Sequence, residues 1–314
     1  MFAKVVFGSS VGGNIPLFTG ILEEVVPTDD RYSTATYTFV DRMALLGRTT
    51  LGSSSKVGAR GDTGAQRLKA LTDIARTIDV VNGNGAPTTI EQVVSIQGFA
   101  RPLQLSSTGD TVLDAAKTVV AGQAGRIYAS RSGIVTIVDR AAMQTAVNAG
   151  TAATFTDTPS VAAGIGYDEI HTNQGQNFVY NSANVTVGSA ITATAKIDAS
   201  IAQYGERRDD VDTCLRDAGD ALAVATFYAT NWSDPVKSVV SVSTEGFGNS
   251  QSDLETLFSL ELNQQVRVYR KLPGGRVLDV NSVIEGIELD ITPTSRRFTF
   301  YLSPKDTTTI TWPS

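Results

Sequence analysis

The chain has 314 residues, of which 41% are hydrophobic and 18% charged, and its formal net charge is −6. An acidic chain is not expected to bind nucleic acid, either at specific sequences or through the phosphates alone, because such binding requires a basic surface. One cysteine and one histidine exclude an intrachain disulfide and the multi-ligand zinc and iron–sulfur sites, so we expect no metal and no cofactor.

The length is that of about two domains, or of one elaborate domain, and it suffices for a sizeable core without disulfides. No segment reaches the roughly 18 continuous apolar residues of a membrane-spanning helix, and the apolar stretch at residues 1–8 is too short for a signal peptide. We therefore expect a soluble protein with no membrane anchor and no targeting segment.

Residues 1–48 have the pattern of strands joined by turns. Lys4–Phe7 and Leu17–Val26 are apolar runs separated by a glycine-rich turn, and the second run ends at Pro27-Thr28-Asp29-Asp30. Tyr32–Val40 then alternates threonine with larger residues, which is the period of two typical of a half-buried strand. The sequence predicts a first β-module at residues 1–48.

Residues 49–140 predict a helix–helix–β-hairpin domain. The first helix is indicated by one apolar stripe, formed by Ala65, Leu68, Leu71, Ile74, Ala75 and Ile78. A second helix is predicted to begin at Thr108-Gly109-Asp110 and to end at Gly122 or Gly125. The runs 126–130 and 134–140 flank a three-residue loop, Arg131-Ser132-Gly133, and predict a hairpin.

The remaining sequence divides at about residue 235. Residues 141–235 predict a β-rich region, with strands at 177–187 and 190–197, followed by a long helix at 208–228. Residues 236–314 predict a second β-module of four strands, at 236–244, 257–270, 276–289 and 297–302.

The two ends of the chain are similar in sequence. Residues 18–32 align without a gap on residues 284–298, and Gly12-Gly13 upstream matches Gly274-Gly275. The coinciding positions are Gly20, Ile21, Pro27, Thr28, Arg31 and Tyr32 in the first copy and Gly286, Ile287, Pro293, Thr294, Arg297 and Phe298 in the second. Two unrelated meanders could share such turn residues, but the matched spacing favours an internal repeat.

The repeat predicts an α+β, β-rich fold with two related β-barrel-like modules at the chain ends and an inserted helix-containing middle. Three subunits in a ring would place six similar modules around one axis, giving a trimeric ring with quasi-sixfold symmetry. The first copy has three predicted strands and the second has four. Because an open sheet edge invites pairing, we expect another chain to complete the first module.

Isolated polar clusters suggest weaker hypotheses. His171 lies near Asp168 and Glu169 in sequence, but without a second histidine or cysteine a loop histidine is favoured over an acid–base or metal role. Acidic residues at 206, 209, 210 and 212 could hold a cation. The favoured interpretation is that they stabilise the start of the predicted helix at 208–228.

Three short motifs have ordinary explanations. Arg60-Gly61-Asp62 is too short to indicate a ligand by itself. Asn184-Val185-Thr186 is a glycosylation acceptor pattern, which has no meaning without secretion. Cys214 lies beside Val211 and Leu215 in the predicted helix, which favours a buried, unreactive thiol. No catalytic residue is nominated.

Several segments occur in order along nearly the whole chain: Leu17-Phe18-Thr19-Gly20-Ile21, Asp41-Arg42, Gly109-Asp110, Gly125-Arg126-Ile127-Tyr128, Val138-Asp139-Arg140, Ile165-Gly166-Tyr167-Asp168, Asn181, Tyr204-Gly205-Glu206-Arg207, Asp234-Pro235, Leu262–Val268, Gly286–Pro293 and Phe298–Pro304. In this order and spacing they resemble the tail-hub proteins (baseplate hub or minor tail proteins) of long-tailed bacteriophages, especially those of actinobacterial hosts.

The resemblance implies a homotrimeric, non-enzymatic component of the phage tail tip that is assembled in the host cytoplasm. Its expected role is a hub ring joining the sixfold tail tube to threefold tip or receptor-binding proteins, with distal tail or tube proteins and the tape-measure protein as further partners. DNA would pass through the lumen during ejection without specific binding. A phage-encoded enzyme that degrades cell wall or polysaccharide and a carbohydrate-binding baseplate module are the alternatives.

Overall fold

The computed structural model describes residues 2–9, 13–27, 35–52, 57–81, 94–104, 111–158, 164–173, 179–187, 191–235, 238–246, 249–292, 294–305 and 308–313. The N-terminal end is an antiparallel meander with the strand order β1-β2-β3, formed by β1 (Phe2–Ser9), β2 (Gly13–Pro27) and β3 (Ala35–Val40). These are the three strands that the alternation and the turn residues predict.

The next segment contains the predicted helices and hairpin. Its elements are α1 (Met43–Arg48), α2 (Gly64–Val81), β4 (Val94–Gln97), α3 (Val112–Ala121), β5 (Arg126–Ala129) and β6 (Val135–Val138). Thr111 caps α3 by accepting a hydrogen bond from the backbone N–H of Asp114, and the helix ends at Gly122. Strands β5 and β6 pair as an antiparallel hairpin, and β4 adds to β6 in parallel. Both helices and the hairpin are confirmed, but α3 begins after Thr111, later than the predicted start at residues 108–110, which lie outside the described residues.

The following region is less purely β than the sequence suggests. It comprises α4 (Arg140–Asn148), β7 (Thr151–Thr156), β8 (Ile165–Gly166), β9 (Glu169–Asn173), β10 (Ser182–Val187), β11 (Ile191–Lys196), α5 (Asp198–Tyr204), β12 (Arg208–Thr213) and α6 (Ala218–Asn231). Helix α4 was not predicted, although Asp139 caps it by accepting a hydrogen bond from the N–H of Ala142.

The predicted helix at 208–228 is wrong in its first part, because residues 208–213 form β12. This strand pairs in parallel with β10, and its exposure alternates from residue to residue as a half-buried strand requires. The spacing of Val211 and Leu215 imitates a helical stripe, but Val211 belongs to the strand and Leu215 to the connection that precedes α6. Pairing with β10 overrides that local pattern.

The C-terminal part contains β13 (Ser238–Glu245), α7 (Gln251–Ser259), β14 (Gln265–Lys271), β15 (Val277–Ile291) and β16 (Arg296–Pro304). The predicted strand at 257–270 is therefore wrong at its start, since Leu257 lies in α7. A reciprocal capping box between Ser250 and Asp253 begins this helix. Its apolar face buries Leu254, Leu257 and Phe258.

The C-terminal strands belong to a seven-stranded sheet with the order β8-β7-β14-β15-β16-β13-β9. Three of its strands, β7, β8 and β9, come from residues before 236. The fold is α+β and β-rich, as expected. The expectation of barrel-like modules is corrected: within the described residues no sheet closes, because β1 and β3 end the first meander and β8 and β9 end the larger sheet.

The described residues form two apolar cores. One is built by α2, α3, α6 and the β10 sheet, and the other by α7 and the inner face of the seven-stranded sheet. Ile15 and Leu17 of β2 pack against the second core, which brings the N-terminal meander onto the C-terminal sheet. Among the helices described here, none combines the length and the apolar character needed to cross a membrane.

Candidate functional site

Strands β14, β15 and β16 form a second antiparallel meander, in the same order as β1, β2 and β3 of the first, and the middle strand of each has a bulge at the same place. In β2, Leu22 pairs with Phe39 and Glu24 pairs with Thr38, so Glu23 is an extra residue. In β15, Ile284 pairs with Leu302 and Gly286 pairs with Tyr301, so Glu285 is the extra residue there. Each bulge follows a glycine, Gly13 or Gly275, by ten residues.

The bulges fix which residues correspond between β3 and β16. Thr36 and Tyr37 of β3 correspond to Thr299 and Phe300 of β16, so a threonine followed by an aromatic residue occurs in both. Across the strands, Val25 pairs with Tyr37 and Ile287 pairs with Phe300. On the middle strands, β2 and β15, this correspondence is shifted by four residues from the ungapped sequence match of residues 18–32 with residues 284–298.

The repeated glycines occupy different positions relative to their bulges. Gly20 precedes the first bulge and pairs with Ala3, whereas Gly286 directly follows the second and pairs with Tyr301. A Cβ atom on Gly20 would lie 2.5 Å from the carbonyl oxygen of Val40. A Cβ on Gly286 would lie 3.2 Å from the ring of Tyr301. Each glycine therefore allows a close approach, although to a different neighbour.

The other predicted repeat residues are scattered. Ile21 is buried, Ile287 packs on the second core, and Phe298 is fully buried there. Arg297 forms an exposed ion pair with Glu169, and the backbone N–H of Thr294 donates to the hydroxyl of Thr292. Pro27 ends β2. Thr28, Arg31, Tyr32 and Pro293 lie outside the described residues.

The two meanders differ most in burial. The side chain of Tyr37 is 58% exposed, whereas its counterpart Phe300 has no exposed surface. Val25, which pairs with Tyr37, is 44% exposed, and the neighbouring Val26 is exposed to the same degree. The first meander therefore presents an apolar pair, Val25 and Tyr37, on one face at the end of β2 and β3, while Val26 points to the opposite face. Apolar groups at this exposure are typical of interaction surfaces when they are contiguous.

Three parts of the chain meet beside this meander. Gly133, in the β5–β6 turn, lies against Thr19 of β2, and Arg42 donates a hydrogen bond to the carbonyl of Gly133. In the same turn the N–H of Arg131 donates to Glu261, and burial lowers the pKa of the Arg131 guanidinium, an effect that Glu261 opposes. A cavity of about 200 Å³ remains at this junction.

The C-terminal segment 308–313, here called the strap, crosses the helical middle. Arg140 donates to the carbonyl of Thr308 at 3.1 Å, and Ile310 is buried in the first core. The guanidinium of Arg101 lies 4.5 Å from the ring centroid of Trp312 and forms a 3.5 Å ion pair with Asp220. Burial raises the pKa of the Asp220 carboxyl, and Arg101 opposes the increase.

The residues considered for catalysis or ligand binding lie apart. His171 is exposed and contacts Glu169 at 3.0 Å, but it lies on strand β9 and not in a loop as predicted. Cys214 is buried, and burial raises the pKa of its thiol to about 11, so it is not activated as a nucleophile. Within the described residues no group of three or more His, Cys, Asp and Glu side chains is arranged to hold a metal ion.

The acidic residues and short motifs have structural roles. Asp209, Asp210 and Asp212 lie on β12, so the interpretation that they stabilise a helix start is wrong. Asn184 of the acceptor pattern donates a hydrogen bond to Asp210 on the neighbouring strand. In the 60–62 tripeptide, Asp62 accepts a hydrogen bond from the N–H of Ala59, which closes a local turn.

The sequence matches no known protein family and no curated protein. Its fold is similar to that of a tail protein from Neisseria meningitidis, with a TM-score of 0.61 and 12% identity over 91% of this chain and 80% of the other. It is also similar to the 43 kDa tail protein of prophage MuSo2 from Shewanella oneidensis, with a TM-score of 0.57 and 14% identity over 97% and 88% of the two chains. The chain therefore has a fold found in phage tail proteins.

Proposed function

We propose that the chain is a structural component of a bacteriophage tail, and that it forms the hub ring of the tail tip. The observation that carries this proposal is the pair of meanders with matching bulges at Glu23 and Glu285, in a chain whose fold is found in phage tail proteins. A repeated unit within one chain suits a component that has to match neighbours of two different symmetries.

In this proposal three copies form a closed ring. Each copy contributes two similar meanders, so the ring presents six related sheets on the side of the tail tube and three identical surfaces on the other side. Contacts between the first meander of one copy and the second meander of the next would be of the head-to-tail kind, which closes a ring when the rotation is one third of a turn. The ring would thereby connect the sixfold tube to threefold tip or receptor-binding proteins.

The role is mechanical, and no side chain is assigned to chemistry. The tube protein, the tape-measure protein and the receptor-binding proteins are the proposed neighbours, and DNA would pass through the lumen during ejection. With a net charge of −6, a lumen lined by this chain would repel DNA and let it pass without binding. The open edge of the first meander is where another chain would complete the sheet.

Quantitative mass spectrometry of purified phage particles tests the proposal. We expect three copies of this chain per particle, with the tube protein as an internal reference whose copy number is a multiple of six. Absence of the chain from the particles, or a copy number not divisible by three, would contradict the hub ring. Degradation of host cell wall by the purified chain would instead support the enzymatic alternative.

A further inference from the structure

The second meander shows how the exposed surface of the first can be covered. Phe300, the counterpart of Tyr37, lies 5.4 Å from Phe155 of β7 between ring centroids, and the neighbouring Phe298 packs edge-on against Phe258 of α7 at 4.9 Å. These aromatic contacts and the apolar face of α7 remove Phe300 from solvent.

The edge of the second meander is also occupied. Strand β13 pairs antiparallel with β16, with Val242 opposite Phe300 and Ser243 opposite Thr299. The hydroxyls of Ser243 and Thr299 are hydrogen-bonded at 2.9 Å. Val242 is fully buried. One apolar β-branched residue and one hydroxyl residue on the added strand therefore complete the edge of β16.

The first meander has the same edge without the added strand. Thr36 and Tyr37 stand where Thr299 and Phe300 stand, yet in the described part of the chain no strand pairs with the outer edge of β3. Tyr37 and Val25, on the face that matches the buried side of the second meander, remain exposed. An open edge with an apolar face beside it is a ready acceptor for an extended polypeptide.

Strand β13 of a second copy is a poor source of the missing strand. In that copy β13 and α7 are committed to the second core, where Val239, Val242, Leu257 and Phe258 are buried. Lending them to a neighbour would expose that core, at a cost of several buried apolar side chains. A strand from a different protein carries no such penalty.

We infer that the outer edge of β3 binds an extended segment of a different protein. The segment runs antiparallel to β3, with a serine or threonine opposite Thr36 and a β-branched apolar residue opposite Tyr37, as Ser243 and Val242 do opposite Thr299 and Phe300. Apolar side chains of the same partner, next to this segment, cover Val25 and Tyr37. This inference depends on the proposed function in one respect only, namely that the partner is another protein of the phage tail.

The probe is a fluorescently labelled peptide with the sequence of β13, Ser238–Glu245, added to the intact protein. Binding is followed by fluorescence anisotropy, and the site is located by hydrogen exchange. We expect saturable binding and slowed exchange at residues 35–40. A peptide carrying Val242→Asp should bind at least about tenfold more weakly, because strand addition needs an apolar residue at that position. The peptide variant leaves the folding of the protein unaffected.

Matched protein variants localise the effect. Val25→Asp and Thr36→Val should each weaken binding, whereas Val277→Asp, at a valine of similar exposure in the second meander, should leave it unchanged. Absence of binding, or protection away from residues 35–40, would overturn the inference. Protection of these residues without peptide that increases with protein concentration would also overturn it, since a second copy would then be the occupant. Because the isolated protein is used, failure here is distinguishable from absence in phage particles.

Discussion

Glu23 and Glu285 occupy the same position in two β-bulges near opposite ends of the chain. Each is the extra residue of the middle strand of a meander, and each forms an ion pair with an arginine from residues 48–126: Glu23 with Arg48 and Glu285 with Arg126. A bulge bends a strand and increases its twist locally. The two meanders therefore bend at the same point, and each is tied there to the helix-containing middle.

The two ion pairs differ in their surroundings, and their contributions to stability should differ. Glu285 also accepts a hydrogen bond from Ser303, and Arg126 also donates to Asn263, whereas Arg48 is 57% exposed. We expect Glu285→Gln to lower the free energy of unfolding by about 1 kcal/mol, and Glu23→Gln by less than about 0.5 kcal/mol. Chemical denaturation measures both. A larger loss for Glu23→Gln would show that the first bulge depends more on its ion pair.

The difference in burial between Tyr37 and Phe300 predicts a difference in stability effects. Phe300→Ala removes a fully buried ring and should lower the free energy of unfolding by about 3–5 kcal/mol. Tyr37→Ala, at an exposed position of the corresponding strand, should change it by no more than about 0.5 kcal/mol in the isolated protein. Denaturant titration of the two variants is the test. Similar losses would mean that Tyr37 is covered in the free protein.

Asp220 predicts a pH dependence with a defined sign. Burial raises the pKa of its carboxyl, with Arg101 opposing, so the folded state binds its proton more tightly than the unfolded state does. Its contribution to stability is therefore greatest below the unfolded pKa and falls as the pH rises through the folded pKa. We expect Asp220→Asn to be at least as stable as the wild type at pH 7, and any difference to vanish in acid.

Thermal unfolding of the wild type and Asp220→Asn between pH 4 and pH 7 measures this difference. Trp312→Ala is a useful companion variant, since it removes the ring that packs on Arg101 and leaves the carboxyl in place. A loss of stability in Asp220→Asn at pH 7 that disappears in acid would contradict the assignment. It would show that the ion pair with Arg101 outweighs the cost of burying the carboxylate.

Cys214 should be unreactive while the chain is folded. Burial raises the pKa of its thiol to about 11, so at pH 8 the group is almost entirely protonated, and it is also shielded from reagents. Titration with a thiol-reactive disulfide should give no fast reaction in the native protein and one equivalent in denaturant. Rapid reaction of the native protein would show that the connection between β12 and α6 opens readily.

The sequence predicts the strands and helices whose signals are local. The meander at residues 1–48, helix α2, the body of helix α3 and the β5–β6 hairpin are all encoded by alternation, helical spacing or turn residues. The cap of α3 is Thr111, whereas the sequence places the start at Thr108-Gly109-Asp110. Where tertiary pairing decides, the prediction fails. Residues 208–213 look helical beside the apolar residues that follow, yet they pair with β10 as a strand. Helix α7 was missed because it is only nine residues long, although the capping box of Ser250 and Asp253 marks its start.

The relation between the two meanders is only partly readable from sequence. The Gly-Gly turns and the threonine–aromatic pairs at 36–37 and 299–300 carry the signal, but the connections between strands differ in length, so an ungapped match places Gly20 on Gly286. Only the pairing registers show that Glu23 corresponds to Glu285. The exposure of Tyr37 could not be predicted either, because burial depends on which elements pack against a strand rather than on the strand itself.

A reconstruction of the intact phage tail tip at side-chain resolution tests the hub ring most directly. We expect three copies of this chain around the tail axis. Their first and second meanders should alternate at intervals close to one sixth of a turn and superpose on the bulges at Glu23 and Glu285. A chain located away from the axis, or a ring in which the two meanders lie at unrelated radii and orientations, would contradict it.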